Sequence, residues 1–437
     1  MTPIRLLAKL DPTFAWDGSR LYGEAELAES VPSGLRGAAS FAGPKGGHGD
    51  PSGWRILRDP LGINKLFWAR AEDGTVAVAT RPRQLVDEGY ALEDLRAVPR
   101  GCVSDFQTST HEPLECSLVP DSWSDPPSRI DLERVGRQIR ETLDRYLHAI
   151  AATGAFSRAF VCLSGGLDSS GIALLVREHF PDAVAVSFDL DRGGARSEDR
   201  LTAARLARDF GMPLLEATVP PGVLLDHLDT VLVEGIDWRD FNVHAGLVNA
   251  VLGAAIAEAT SDGSAVVFTG DLANEFLVDY QPEQYRGATY YRLPRLNPVA
   301  LRRSLVRGLD SCHREVGVFG AWHLPLIQPY AIAVDAYLSL PEEFLQLADR
   351  KERLCRAVFG DGLPAYIYSR PKARAQVGGG QVTGGVLAVC VDHGVDADHL
   401  RRRFAELHGV GDPGVLDRLL RAGGYRASVP LVRSDDD

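Results

Sequence analysis

The sequence predicts a mixed α/β and α+β chain: a β-rich amino-terminal part, then a parallel-sheet α/β part with a helical carboxy-terminal end. Three observations predict it. Turn signals recur at short spacing through the first 120 residues. Apolar, strand-like runs alternate with helix-period stretches from residue 158 to 268, the pattern of a parallel sheet with crossover helices. Residues 297–425 read as mostly helical.

The amino-terminal turns are Asp17-Gly18, Gly43-Pro44 to Gly49, Pro60-Leu61-Gly62 and Asp73-Gly74. Leu66–Ala71 and Thr75–Ala79 read as a hairpin around Glu72-Asp73-Gly74. Gly43–Gly53 reads as a loop, and Asp121–Asp131, rich in Pro, Ser and Asp, as a linker. A helix over 132–152 places Val135, Ile139, Leu143, Leu147 and Ile150 on one face. Expected next are strand 158–163, helix 171–179, strand 183–188, helix 199–210, strand 214–218, helix 221–234, helix 243–259 and strand 265–268. The expected boundaries are 1–120, a linker at 121–131, 132–428, and an acidic tail at 429–437.

The net charge of −12, with no basic patch beyond Arg401-Arg402-Arg403, argues against nucleic-acid binding. Six scattered cysteines without a CxxC pair imply reduced thiols and a cytoplasmic chain. No apolar run approaches the ~20 residues of a membrane span, and the start reads as no secretory signal. The histidines stand singly, without metal-ligand spacing. Lysine is rare beside arginine, at positions 9, 45, 65, 351 and 372, so each lysine merits inspection.

The most informative stretch is Arg158–Gly171, R-A-F-V-C-L-S-G-G-L-D-S-S-G. An apolar strand runs into a Ser-Gly-Gly turn and then a helix. Glycines admit phosphate oxygens, and backbone N–H groups with the helix dipole point at the turn. Asp168 offers a carboxylate to Mg²⁺. No lysine follows the glycines, so this is not the GxxxxGK[ST] loop.

Ser164–Ser170, S-G-G-L-D-S-S, resembles the pyrophosphate loop of the ATP pyrophosphatases. Three further landmarks extend the resemblance to the asparagine synthetase-like family, which includes β-lactam synthetases and lasso-peptide cyclases. They are S-F-D-L-D…S-E-D at 187–199, F-T-G-D-L-A-N-E at 268–275 and L-P…S-R-P-K-A-R-A-Q-V-G at 363–378. Pro341-Glu342-Glu343-Phe344 fits the same order. R-D-P-L-G-I-N-K-L-F-W-A-R (58–70), V-A-V-A-T-R-P-R-Q-L (76–85) and A-V-P-R-G (97–101) resemble the family's glutaminase domain. Its amino-terminal cysteine nucleophile has no counterpart, so a degenerate, noncatalytic domain is expected.

The resemblance implies a cytoplasmic ligase that uses ATP and Mg²⁺ to adenylate a substrate carboxylate and pass it to an amine or ammonia. A setting in specialised or antibiotic metabolism is expected. Ser164, Gly165, Gly166, Ser169 and Ser170 would cradle phosphates, with Asp168 on the metal. Leu163, Ser187 and Gly270 would line adenine and ribose. Asp271 and Glu275 take the place of family carboxylates near the reacting carbonyl, and Lys372 that of the lysine on pyrophosphate and oxyanion. The family's metal-binding aspartate falls on Asn274. Tyr290 or Tyr291 with a nearby acid would activate the amine, against plain packing. Three alternatives stay open: an intramolecular cyclase, an RNA- or base-modifying pyrophosphate-loop enzyme, and a scaffold that keeps only the fold. The partners expected are a small-molecule or peptide carboxylate and an amine or ammonia donor, with no nucleic acid or membrane and a homodimer left open.

Overall fold

A computed structural model describes residues 4–45, 53–106, 130–191, 193, 196–260, 264–291, 293, 295–307, 310–370, 377, 385–412 and 414–416. The expected 429–437 tail and most of the 121–131 linker and the 43–53 loop lie outside them, as does Lys372.

The first part is strand-rich. Its strands are β1 (Ile4–Leu6), β2 (Ala15–Trp16), β3 (Leu21–Tyr22), β4 (Ser40–Pro44), β5 (Trp54–Arg58), β6 (Phe67–Arg70), β7 (Val76–Ala79), β8 (Arg96–Ala97) and β9 (Val103–Phe106). They form sheets of order β1-β7-β6-β8 and β4-β5-β9 and a β2-β3 ribbon. Two short helices, α1 (Glu24–Glu29) and α2 (Pro82–Asp87), interrupt them. The expected hairpin is β6–β7, with Ala69 opposite Ala77.

Helix α3 (Leu132–Ala152) follows, capped by the Asp131 side chain on the Arg134 N–H. Its five predicted apolar residues are all buried. Then come β10 (Arg158–Cys162), α4 (Leu167–His179), β11 (Val184–Leu190), α5 (Glu198–Asp209), β12 (Leu214–Val219), α6 (Pro221–Asp226), α7 (Leu228–Glu234), α8 (Asp240–Glu258), β13 (Ala265–Phe268) and α9 (Ala273–Leu277). A hairpin, β14 (Glu283–Tyr285) and β15 (Ala288–Tyr290), precedes α10 (Pro298–Arg307) and α11 (Asp310–Gly320). Strand β16 (Leu326–Ile327) leads to α12 (Val334–Leu338), α13 (Glu342–Leu345), α14 (Arg350–Phe359), α15 (Ala365–Tyr368), α16 (Gly385–Asp392) and α17 (Ala397–Leu407).

The largest departures from expectation are these. The helix expected over 221–234 is two helices meeting at His227. Helix α4 begins at Leu167, directly after the Ser-Gly-Gly turn and four residues before the expected 171, because extended Gly166 serves as its cap and Asp168 sits favourably in the first turn. Strand β16 falls where helix was read; two residues are too short a run to show alternation.

The fold class is the one the sequence predicts. The central sheet has order β12-β11-β10-β13-β16, every pair parallel. The chain steps from β10 to β11 to β12, then returns to the other side of β10 as β13. A crevice opens at such a reversal, beyond the carboxyl ends of the strands. Helix α8 is long and apolar enough to cross a membrane by length and composition, but it is two-thirds buried and packs on β11, β12 and α11. One apolar core runs from Phe14 and Trp16 through α3 into the central sheet and the carboxy-terminal helices.

Candidate active site

Strand β10 makes its last rung where the Leu163 N–H donates to the Val186 carbonyl at 2.8 Å. The chain then turns at Gly165, whose φ of +73° is left-handed and suits glycine. The turn is internally bonded. The Ser164 N–H donates to Ser169 Oγ at 3.2 Å, the two hydroxyls lie 3.1 Å apart, and the Ser169 hydroxyl donates to the Gly166 carbonyl at 3.2 Å.

From the neighbouring strand end, Gly270 presses on this turn. A β-carbon there would lie 2.6 Å from the Ser169 amide nitrogen. Arg370 reaches over from the carboxy-terminal segment. It donates to the Ser164 carbonyl at 3.1 Å and pairs with Asp199 at the start of α5. Tyr330 donates its hydroxyl to the Asp168 carbonyl at 3.1 Å. The amino end of α4 is thus held from three sides over a cleft of about 540 Å³.

Leu163, Ser164, Gly166, Asp168 and Ser169 line this cleft from the β10 side. Ser187 lines it from β11, Gly270 and Asp271 from the end of β13, and Glu275 from α9. Gly165 and Ser170 stand just behind, shaping the turn and packing beneath it. The Ser187 hydroxyl is buried and has no hydrogen-bond partner among the described residues.

Several site residues escape the sequence reading. Lys351, at the start of α14, is a cation that lines the cleft. Its ammonium pairs with Asp168, donates to Asn274 Oδ1 at 2.7 Å and lies 3.3 Å from Asp279 Oδ2. Burial would lower its pKa, but Asp168 and Asp279 outweigh that and raise it, so it stays charged. A protein-held Mg²⁺ between Asp168 and Asn274 does not fit this arrangement. Asp168 Oδ2 is taken by the ammonium, and the Asn274 amide that shares it brings no charge. Among the described residues, no group of three or more His, Cys, Asp or Glu is placed to hold a metal.

Glu315 on α11 lies at the floor. It accepts from Gln328 Nε2 at 2.6 Å and Thr269 Oγ1 at 3.4 Å, and it contacts Arg314. Burial, then the Asp271 charge, push its carboxyl well up; Arg314 opposes without prevailing. Arg314 in turn donates to Asn242 and Asn249 on α8. Glu275 accepts from the Tyr280 hydroxyl. The tyrosine that meets an acid here is therefore Tyr280. Tyr291 instead lies 2.8 Å from His244 Nδ1, and burial lowers the His244 pKa to about 3, keeping it neutral. Phe241 packs edge-on against Tyr280 and Tyr291 at 5.9 and 5.4 Å.

One sequence signal pointed at Lys351, the rarity of lysine. For Glu315 the signal is an Arg-Glu pair opening the apolar run V-G-V-F-G.

The asparagine synthase family profile matches residues 139–316, which contain this turn, β13 and the first part of α11 with Glu315. The glutamine-hydrolysing asparagine synthetase of Mus musculus is 27% identical over 246 residues, 51% of this chain and 42% of that protein. Carboxyethyl-arginine beta-lactam-synthase of Streptomyces clavuligerus is 25% identical over 372 residues, 80% of this chain and 67% of that protein. The chain thus matches less than half the length of the mouse enzyme. The NMN synthetase structure from Francisella tularensis is 15% identical with a TM-score of 0.31, covering 64% of this chain and 94% of that one.

Proposed function

We propose that this chain, which belongs to the asparagine synthetase-like family, is an ATP-dependent ligase that adenylates a substrate carboxylate and joins it to an amine or ammonia. The carrying observation is the cradle itself: a helix amino-terminus behind a Ser-Gly-Gly turn, at the sheet's switch point, with Gly270 backbone laid against it. A carboxylate oxygen attacks the α-phosphorus and the bond to the β-phosphate oxygen breaks, releasing pyrophosphate. The amine nitrogen then attacks the acyl carbon, AMP leaves, and the amine gives up a proton.

In this reading the N–H groups and hydroxyls of Ser164–Ser170 orient the leaving phosphates, and Lys351 and Lys372 supply positive charge beside them. Leu163, Ser187 and Gly270 line the nucleoside, and the unpartnered Ser187 hydroxyl supports a ligand there. Asp271 and Glu275 face the reacting carbonyl. Mg²⁺ bound to ATP supplies charge for the pyrophosphate, and no step here uses a protein-held ion. The longer match to the β-lactam-forming relative, 80% of the chain against 51%, favours a substrate whose amine lies in the same molecule, in specialised metabolism. The amino-terminal part is proposed to lack glutaminase activity, since its described cysteine, Cys102, is wholly buried. A cytoplasmic location is supported by Cys162, Cys355 and Cys390, which form no disulfide among the described residues.

Asp168→Ala and Lys372→Ala are expected to cut AMP release by about 100-fold or more, the scale of losing one charge-stabilising group. Turnover unchanged in both would overturn the assignment.

A further inference from the structure

Four groups meet at the phosphate end of the cleft: Asp168 from α4, Asn274 from α9, Asp279 just beyond it, and Lys351 from α14. An ammonium has three N–H donors and no acceptor. Here all three have an oxygen to face, one each from Asp168, Asn274 and Asp279. Both carboxylates are nearly buried, with side-chain exposures of 17% and 13%.

A small cation ringed by carboxylate and carbonyl oxygens is also how hard divalent ions are held. The two demands compete for the same oxygens. Counting Asp168, Asp279, Lys351 and Arg350, whose guanidinium lies 3.5 Å from Asp279 Oδ1, the set is neutral. A divalent ion would have to expel the ammonium from Asp168 and leave it buried beside a second cation, which Coulomb repulsion at low dielectric opposes. Asn274 points the same way: a third carboxylate there would favour the metal, whereas an amide oxygen satisfies an ammonium N–H at no cost in charge.

We infer that Lys351 is the resident cation of this site, filling the place between Asp168, Asn274 and Asp279 that a divalent ion would otherwise take, so that Mg²⁺ enters only on ATP and leaves with pyrophosphate. This rests on the ligase reading. This cleft then has no metal site of its own before nucleotide binds, and its metal requirement is that of the nucleotide.

Mn²⁺ titration of the whole chain, with free Mn²⁺ followed by electron paramagnetic resonance, tests this without relying on activity. Without nucleotide, the unaltered chain takes up no Mn²⁺ at protein concentration; with ATP added, it takes up one Mn²⁺ per ATP. Lys351→Met, in which Asp168 has lost the ammonium while Arg350 still faces Asp279, gains a nucleotide-free Mn²⁺ site at least about tenfold tighter than wild type, the scale of one unpaired close charge. Lys351→Arg, which keeps the charge, does not. Nucleotide-free uptake of one Mn²⁺ by the unaltered chain overturns the inference, and this arm stands even if Lys351→Met fails to fold. So does a folded Lys351→Met that behaves like wild type. Failure of the unaltered chain to bind MnATP at all overturns the ligase reading and this inference with it.

Discussion

At the scale of single residues, Gly270 makes the sharpest demand. Its missing side chain lets the end of β13 touch the first turn of α4, with the Ser169 nitrogen and the Asp168 carbonyl carbon 2.6 and 2.7 Å from where a β-carbon would stand. Both are backbone atoms, so neither can swing aside. Gly270→Ala must part the strand end from the helix, costing about 1–3 kcal/mol in strain and spoiling the cradle. The expected outcome is a lowered urea midpoint together with weakened MgATP binding by calorimetry. An alanine variant that binds MgATP as wild type does would show that the contact does not shape the site. Gly270 was legible in the sequence, because Thr-Gly-Asp follows an apolar strand of fixed length. Lys351 was not. Rarity marked five lysines, but nothing local says that the one opening α14 folds onto Asp168 from 183 positions away.

Among the elements, α11 has the most to say. It is an apolar helix that carries an Arg-Glu pair into the floor of the cleft. Folding raises the Glu315 carboxyl above its ordinary 4.5, chiefly through burial and then through Asp271. The folded chain thus keeps a proton that the unfolded chain releases. That contribution is complete below the unfolded value and is lost as pH rises through the folded one. Glu315→Gln, neutral throughout, is expected to lose less stability than wild type as pH rises above the ordinary 4.5 of the carboxyl, measured by denaturant midpoints at successive pH values. Identical pH profiles for the two chains would refute a protonated Glu315. Periodicity fixed the placement of α3, α5 and α8 well, because each buries a broad apolar face. It missed the break at His227, where the apolar pattern runs on through the junction, and the two-residue β16, which offers no pattern to read.

Across the whole molecule, the strand-rich first part and the central sheet share one core. Tyr146 of α3 stands edge-on to Trp16 at 5.8 Å and donates its hydroxyl to the Phe14 carbonyl at 3.1 Å. Arg81 is buried between the parts, paired with Asp11 at 2.9 Å and with Glu234 of α7 at 2.9 Å. Removing it strands two carboxylates. Arg81→Ala is expected to destabilise the chain by about 3–5 kcal/mol, and the shared core predicts one unfolding transition in urea rather than two. Separate transitions, or a loss below about 1 kcal/mol, the surface-pair range, would contradict that interlock. The alternation of strands and helices made the second part readable from sequence. The seam between the parts was not, since it is built from residues such as Asp11, Arg81 and Glu234 that look like ordinary surface charges in one dimension.

The central claim is that the cleft splits ATP between its α and β phosphates. The most direct measurement is phosphorus NMR of ATP and Mg²⁺ incubated with the whole chain and a mixed pool of carboxylic acids and amines. The account predicts AMP and pyrophosphate in equal amounts, abolished by Asp168→Ala; ADP with inorganic phosphate would contradict it.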